Sequence, residues 1–350
     1  MKFEDLLQHT SEWLKGIGPN SNIVISSRIR LARNLEKIPF PNQANKDESA
    51  EVLEKVKEAV SGINLLKKSM FLELNALDNV DKQFLIERHL MSHEHAMKPN
   101  NKGLVVSDEE IISIMVNEED HLRVQVMRSG LDLNDTWEII DQLDNALAEK
   151  LNFAFLPEWG YLTACPTNTG TGMRGSVMLH LPALVMTKQI NKVLAAIAKL
   201  SFTTRGLYGE GTQASGNFFQ ISNQVSLGHS EIEILENLKG LIKQVVDQEE
   251  QARQALLLQS REVLEDRIWR AAGTLRSAYI ISSEETIELL SMIRLGVDLG
   301  VIKDIDRSLI NELFIITQPA HLQKIDGKKL SAPERDAKRA KLIRQKLTRT

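Results

Sequence analysis

The spacing of hydrophobic residues changes once along the chain, near residue 230. Before that point, short runs rich in β-branched residues alternate with stretches of helical periodicity. The extended runs are NIVIS, KGLVVS, IISIMV, LRVQVM, SVMLHL and FFQIS, and the helical stretches include 50–59 and 184–200. This alternation predicts a first domain of α/β or α+β type.

The rest of the chain is predicted to be helical, because its apolar residues recur every three or four positions. The repeat begins with Ile232, Leu235, Leu238, Ile242 and Val245. A chain of 350 residues also fits two domains better than one. We therefore predict a mixed domain over 1–247 and an all-α domain over 248–350.

Strand parity places several arginines away from the predicted core, since successive side chains of a strand point to opposite faces. In the first strand, Ser26, Arg28 and Arg30 share one face. The core face of that strand is then formed by Ile23, Ile25, Ile29 and Leu31. The same parity puts Arg123 and Arg174 on the non-core faces of two later strands.

One arginine on a strand is most simply a solvated charge. Its recurrence in three strands instead indicates a polyphosphate site, because the planar guanidinium matches phosphate oxygens. Arg205 is a further candidate, and it opens the loop RGLYGEGTQASG. The four glycines of that loop predict a lid that closes over the reacting groups.

Two common phosphate-binding motifs fit the segment 170–175 only in part. It has the form G-x-G-x-x-G, but a strand-like run follows it, and no acid occurs between Gly175 and Glu210. A P-loop would need lysine where Ser176 stands. The H-R-D and D-F-G motifs of hydroxyl-directed protein kinases are also missing from the sequence.

Composition narrows the function classes. With 43 Lys+Arg, 47 Asp+Glu and 42% hydrophobic residues, the chain is typical of a globular protein that binds no nucleic acid. Neither a membrane-spanning run nor a secretory signal is recognisable, so we expect a cytoplasmic protein without a membrane partner. The single cysteine, Cys165, excludes an internal disulfide framework.

Three blocks together resemble the ATP:guanido phosphotransferases, the family of the creatine and arginine kinases. They are SSRIRLARN from Ser26, NEEDHLR from Asn117 and CPTNTGTGMR from Cys165. The resemblance implies an α+β catalytic domain with an antiparallel sheet flanked by helices. It also implies transfer of the γ-phosphoryl group of ATP to a guanidinium.

The resemblance also implies a set of site residues. His89 would lie beside adenine, and Glu119 and Cys165 beside the acceptor guanidinium; taken alone, these three would be a surface helix residue, a turn acid and a small buried hydrophobe. The ATP-binding set would be Ser26, Ser27, Arg28, Ile29, Arg30, His89, Arg123, Arg174, Gly175, Ser176, Val177, Met178, Arg205, Gly206, Leu207, Tyr208 and Gly209.

The chemistry agrees with these roles. A guanidinium has no lone pair to offer, so a carboxylate must orient it and accept its proton. Glu119 would do so, and Glu210 of the glycine-rich loop is a candidate for a second, aligning carboxylate. We expect Mg²⁺ to be carried by ATP and not by a metal site of the protein.

Two departures from the small-guanidine kinases redirect the expected acceptor. Those enzymes carry a helical domain before the arginine-rich strand, whereas this chain has a helical domain after it. The arrangement resembles the bacterial protein-arginine kinases. Met178 is the second departure, since the small-guanidine enzymes usually have histidine there.

This second resemblance implies proteins with exposed arginines as substrates, and modification that marks them for degradation or regulates a stress-response repressor. It further implies an activator protein, a protease–chaperone system and a homodimer. Two alternatives stay open: a kinase for free arginine or another small guanidine, and a non-catalytic adaptor that binds phosphoarginine.

The basic tail adds one motif. RDAKRA, residues 335–340, resembles an element by which protein-arginine kinases bind phosphoarginine away from the active site. That resemblance implies an allosteric site formed by Arg335, Asp336, Arg339 and Ala340. A solvated helix end with an i,i+3 ion pair is the simpler interpretation of these residues alone.

Overall fold

An eight-stranded antiparallel sheet organises the first two thirds of the chain. The structure is a computed structural model that describes residues 2–206 and 215–348. The strands are β1 (Val24–Arg33), β2 (Met70–Glu73), β3 (Gly103–Val106), β4 (Ile112–Val116), β5 (Leu122–Ser129), β6 (Phe155–Leu156), β7 (Gly160–Tyr161), β8 (Met173–His180), β9 (Phe202–Arg205) and β10 (Phe218–Asn223). The sheet order is β2-β3-β4-β5-β1-β8-β10-β9, and β6 and β7 form a separate hairpin.

The described α-helices connect and follow these strands. They are α1 (Lys46–Ser61), α2 (Asn79–Glu87), α3 (His93–Ala96), α4 (Leu133–Ala148), α5 (Pro182–Met186), α6 (Ile190–Lys199), α7 (Glu231–Gln259), α8 (Arg261–Ser277), α9 (Ser283–Asp298), α10 (Arg307–Ile316), α11 (Pro319–Asp326) and α12 (Ala332–Leu347). The predicted α+β domain with a helical C-terminal region is therefore confirmed. Within the described ranges, no helix is both long enough and apolar enough to cross a bilayer.

One face of the sheet is covered by α1, α4 and α7. Ile29 and Leu31 of β1 are fully buried there among apolar side chains of these helices. Asn45 starts α1 by accepting backbone hydrogen bonds from Asp47 and Glu48, and Ser230 caps α7 in a similar way. The core face leaves the opposite face of β1 available for charged side chains.

The parity prediction was wrong for Ile25. The pairing of β1 with β8 shifts register between Val24 and Ser26. An irregularity of this kind inserts one residue and reverses the alternation. As a result Val24 joins Ile23 in the main core, whereas Ile25 packs with the helical region on the other side of the sheet.

The stretch 184–200 forms two helices, not the single helix that its pattern suggests. α5 ends at Met186 and α6 begins at Ile190. Lys188, between them, has a φ of 60°, in the left-handed region that interrupts a right-handed helix. The polar residues Thr187–Gln189 form the turn between the two helices, and their backbone N–H groups donate to carbonyls of α5.

The helical region is joined to the sheet domain through one continuous helix. α7 runs across the division that we expect at residue 247 and ends at Gln259, so that division stays a prediction. Within α7, the buried Glu249 accepts hydrogen bonds from the backbone N–H of Leu184 at 2.9 Å and from Arg253 Nε at 2.9 Å. Arg253 also lies 3.9 Å from Asp298 of α9.

Removal of the Glu249 carboxylate should therefore destabilise the whole chain. Glu249→Ala leaves the Arg253 guanidinium buried beside two unpaired N–H groups, and we expect the free energy of unfolding to fall by about 3–5 kcal/mol. Glu265→Ala is the matched control, because its i,i+4 pair with Arg261 is largely exposed and should contribute less than about 1 kcal/mol. Urea titration followed by circular dichroism measures both; equal losses would contradict the expectation.

Candidate active site

Arginines from neighbouring strands meet on the open face of the sheet. Arg30 of β1 pairs directly with Arg174 of β8, while Arg123 of β5 lies opposite Ala32 on the other side of β1. Together with Arg205 of β9, these three arginines line a cavity of about 680 Å³. We call this space, lined by Arg30, Arg123, Arg174 and Arg205, the arginine cavity.

The arginine cavity is built to receive negative charge. Burial, and then the charges of Arg123, Arg174 and Arg205, lower the pKa of Arg28 to about 9. Burial and the same kind of repulsion lower the pKa of Arg30 strongly. The buried Nε of Arg30 has no hydrogen-bond partner in the described part of the chain. A polyanion in the cavity would relieve the repulsion between these cations.

One carboxylate holds an arginine in place inside the cavity. Glu118, whose side chain is 4% exposed, accepts hydrogen bonds from Arg123 Nη1 at 2.7 Å on both oxygens. Burial alone would raise the pKa of Glu118, but the charge and hydrogen bonds of Arg123, with a further bond from Ser92, lower it to about 2. The ion pair is therefore intact at neutral pH.

Asp120 brings two distant parts of the sequence to the same cavity. Its Oδ1 accepts from the backbone N–H of Ala164 at 2.7 Å and from Asn34 Nδ2 at 2.6 Å. The turn that carries Glu119 is thereby fixed to the loop that carries Cys165. Both residues line the arginine cavity, as the sequence blocks predict.

Glu119 is the exposed carboxylate of this turn. Burial of part of the carboxyl group, followed by the charges of Asp120 and Glu118, raises its pKa, and Arg123 and Arg174 oppose the shift. A raised pKa makes the carboxylate a stronger base. Cys165, which also lines the cavity, is half-buried. Its Sγ lies 3.0 Å from the hydroxyl of Thr167.

The three consecutive acids of this turn differ in their surroundings. Glu118 is buried against Arg123 and stays ionised, so it fixes an arginine. Asp120 is buried among N–H donors, and burial raises its pKa although those bonds oppose the shift, so it fixes the backbone. Glu119 lines the cavity and keeps a basic oxygen available.

A second, narrower cavity adjoins the first along β1. Arg28, two residues from Arg30 on the same strand face, lines it together with His89 and Met178. Burial and the charge of Arg28 lower the pKa of His89 to about 3, so its imidazole is neutral at physiological pH. Ser26 and Ser176 complete the predicted residues that lie here, in a space of about 20 Å³.

Not every predicted side chain reaches a cavity. Ile29 and Val177 are fully buried in the main core, Gly175 faces Leu238, and the hydroxyl of Ser27 donates to the carbonyl of Gly130 at 2.8 Å. Gly206 directly follows β9. Leu207, Tyr208, Gly209 and Glu210 lie outside the described residues.

Sequence reasoning missed several residues that line the cavities. Glu94 of α3 and Thr203 of β9 line the arginine cavity, and Arg174 Nη2 donates to Thr203 at 3.1 Å. Parity within 202–205 could have found Thr203, which shares a strand face with Arg205. Glu94 has no local signal, because a four-residue helix places it there.

Trp13 is a further residue that sequence patterns did not indicate. Its ring meets that of His89 edge-on at 5.3 Å, and it lines the narrow cavity. Its buried Nε1 has no hydrogen-bond partner among the described residues. The residues on either side of Trp13 are fixed by hydrogen bonds. Asn311 of α10 donates to the carbonyl of Leu14, and the Glu12 carboxylate accepts from the backbone N–H of Ser129 in β5.

The tail motif lies on α12, which contributes no residue to the walls of either cavity. Arg339 is 1% exposed and donates to the carbonyls of Thr317 and Ile281 at 2.8 Å each, as well as to Asp336. Burial lowers the pKa of Arg339. This guanidinium therefore braces α12 against the helices beside it, while Arg335 remains partly exposed.

Comparisons with known proteins agree with the fold and show the family of the chain. The sequence model for the C-terminal catalytic domain of ATP:guanido phosphotransferases matches residues 51–252, and that for the C-terminal domain of the protein-arginine kinase McsB matches residues 261–350. A protein-arginine kinase of Halothermothrix orenii is 50% identical, with 99% of each chain covered. One of Bacillus subtilis is 44% identical over 96% of this chain and 93% of its own.

Solved structures of guanidino kinases share the fold of this chain at lower sequence identity. A crystal structure of lombricine kinase superposes with a TM-score of 0.60 at 28% identity, with 69% of each chain covered. A duplicated taurocyamine kinase from Schistosoma mansoni, with bound transition-state-analogue components, gives 0.61 at 25% identity and covers 66% of this chain and 33% of its own. The sheet with its flanking helices is therefore the fold of the guanidino-kinase catalytic domain. The chain belongs to the ATP:guanido phosphotransferase family, and within it to the protein-arginine kinases.

The role of Glu118 as a positioning residue can be tested directly. Glu118→Gln removes the charge that holds Arg123, so we expect kcat/KM for ATP to fall about tenfold, equivalent to about 1.4 kcal/mol. Steady-state kinetics at fixed acceptor concentration measures the effect. Glu109→Gln, in the exposed pair with Lys15, is the control and should behave as the parent. An unchanged kcat/KM for Glu118→Gln would show that Arg123 needs no such support.

Proposed function

We propose that this chain transfers the γ-phosphoryl group of ATP to arginine side chains exposed on other proteins. The observation that carries the proposal is the arginine cavity, in which four guanidinium groups face the same space as Glu119 and Cys165. Phosphoryl transfer is catalysed mainly by positioning and charge neutralisation, and this cavity offers both. Relatives that match nearly the full chain are named protein-arginine kinases.

In the proposed step, Glu119 orients the acceptor guanidinium and takes its proton. The freed nitrogen attacks the γ-phosphorus, the new N–P bond forms, and the bond to the bridging oxygen breaks so that ADP leaves. The raised pKa of Glu119 favours proton acceptance. Cys165 would lie beside the guanidinium, and Glu210 would supply a second carboxylate from the loop outside the described residues.

Arginines would neutralise the charge that the phosphates carry. Arg28, Arg30, Arg123, Arg174 and Arg205 are the proposed set, and their mutual repulsion in the free protein favours a bound polyanion. Mg²⁺ carried on the nucleotide would add further positive charge. The described residues contain no group of three or more His, Cys, Asp or Glu side chains that could hold a metal ion.

The adenine base would occupy the narrow cavity. Neutral His89 and the indole of Trp13 give it an aromatic wall, and Arg28 connects it to the phosphate-binding surface. Because the cavity measures only about 20 Å³, the side chains around it must shift when a base enters. The thioether of Met178 would provide a soft apolar contact where histidine is usual.

Several wider predictions depend on partners that the chain itself does not include. A homodimer, an activator protein, a protease–chaperone system and a cytoplasmic location stay predictions, as does a role in degradation or in control of a repressor. A kinase for a small free guanidine is the competing function, and the acceptor decides between the two.

The deciding experiment offers ATP and Mg²⁺ with free arginine in one reaction and an arginine-containing protein in another. We expect acid-labile phosphate on arginine of the protein, located by mass spectrometry. Glu119→Gln should keep ATP binding and lose transfer by at least about a hundredfold. Labelling of free arginine alone, or of serine, would overturn the proposal.

The same assay has a defined pH dependence. The base acts when ionised, so transfer falls as pH drops through the pKa of Glu119. Since that pKa is raised, the acid limb should lie above the ordinary glutamate value of 4.5. This limb should be missing from the residual activity of Glu119→Gln.

We further propose that Arg335, Asp336, Arg339 and Ala340 bind phosphoarginine on α12. Arg335 is the best-placed of these residues to contact a ligand. Arg339 already donates its hydrogen bonds to backbone carbonyls, and Ala340 is buried. Arg335→Ala should weaken binding of a phosphoarginine peptide about tenfold or more, measured by calorimetry. Lys341→Ala removes the same charge from the same helix and should leave binding unchanged. Equal binding by the parent and Arg335→Ala would refute this site.

A further inference from the structure

The hairpin that precedes Cys165 carries apolar side chains into solvent. Phe155 and Trp159 are 52% and 55% exposed, and Leu227 beside them is 42% exposed. Together with Tyr161 they line a shallow groove of about 280 Å³, which we call the hairpin groove. Exposed apolar surface concentrated in this way marks an interaction site more often than an isolated side chain does.

The base of the groove is fixed by several contacts, although its surface is exposed. The Tyr161 ring stacks on the guanidinium of Arg33 at 3.5 Å, and Arg33 is itself paired with Asp144 at 2.8 Å. Tyr161 and Gly170 exchange two backbone hydrogen bonds. Gly160 has a φ of 73° and approaches Gly170 so closely that a Cβ atom would lie 2.4 Å from its carbonyl oxygen. A preorganised platform of this kind binds a partner with little ordering cost.

The groove adjoins the arginine cavity along one loop. Thr171 lines the groove, and the next residue, Gly172, lines the cavity. Consecutive Cα atoms are about 3.8 Å apart, so the two spaces share a wall. Ser226 fastens this loop, because its hydroxyl lies 3.0 Å from the carbonyls of Thr167 and Thr169. A polypeptide whose arginine enters the cavity from this side passes near the groove.

The charge of the groove fits the same partner. Glu158 and Glu231 line it, and no lysine or arginine among the described residues does. The charge of Arg33 beneath Tyr161 is balanced by Asp144. Acidic groups beside the exposed faces of Trp159 and Phe155 favour a segment that combines basic and apolar side chains.

We propose that the hairpin groove docks the polypeptide that flanks the acceptor arginine. The inference rests on the proposed function, since it concerns how a protein acceptor, as opposed to a small guanidine, is recognised. The groove binds residues next to the target, and the arginine cavity binds the target side chain. Trp159, Phe155 and Glu158 then determine affinity for protein acceptors without touching the reacting atoms.

The test compares two acceptors with the full-length protein. One is an unstructured peptide with a single central arginine, and the other is Nα-acetyl-arginine amide, which has no flanking residues. In the double variant Phe155→Ser, Trp159→Ser, kcat/KM for the peptide should fall about tenfold through KM, a loss of the size that aromatic anchors of interfaces contribute. The KM for ATP and kcat/KM for the blocked arginine should stay within about twofold.

Trp269→Ser is the matched control, because this tryptophan is 46% exposed on α8. It should leave both acceptors unaffected. A charge variant, Glu158→Lys, should lower kcat/KM several-fold for a peptide with flanking lysines and not for one with flanking glutamates, most clearly at low salt.

The outcomes separate docking from other roles. Unchanged peptide kinetics in the double variant would overturn the proposal, as would equal losses for both acceptors, which would assign the hairpin to the catalytic cavity itself. A change in oligomer mass with intact peptide kinetics would assign the groove to a second copy of the chain. If the parent protein labels neither the peptide nor a protein, the proposed function fails before the groove is tested.

Discussion

Mutual repulsion between guanidinium groups on the middle of the sheet is the constraint on which the rest of the structure depends. Arg30 and Arg174 are directly opposite each other on paired strands, and Arg28 is two residues away. The fold can hold these charges close together because the other face of the same strands packs a large apolar core. The free energy of burying that core offsets the cost of holding the guanidinium charges close together. A bound polyphosphate would remove this repulsion between the arginines.

The helical region packs against residues that line the narrow cavity. The apolar cluster of α9 and α10, which includes the fully buried Leu290, also contains Trp13 and Met178 from the sheet side. Arg307 and Asn311 of α10 donate to backbone carbonyls of the segment that carries Trp13. A change in the packing of these helices would therefore reach the proposed adenine cavity through Trp13.

Much of this could be predicted from the sequence because it depends on local pattern. Parity placed Arg28, Arg30, Arg123 and Arg174 on the open face of the sheet, and the block from Asn117 placed Glu119 beside them. Helical periodicity after residue 230 predicted the C-terminal helices. These properties follow from the geometry of a single strand or helix, which neighbouring residues fix by themselves.

Only the tertiary structure decided the features that join distant segments. The register shift in β1 turned Ile25 to the opposite side, and Trp13 reached His89 from the start of the chain. Arg339 found its backbone acceptors in the connections before α9 and after α10. The hairpin groove likewise combines residues near 155 and 230. Local patterns specify which face a side chain occupies, whereas packing of whole elements determines what lies opposite that face.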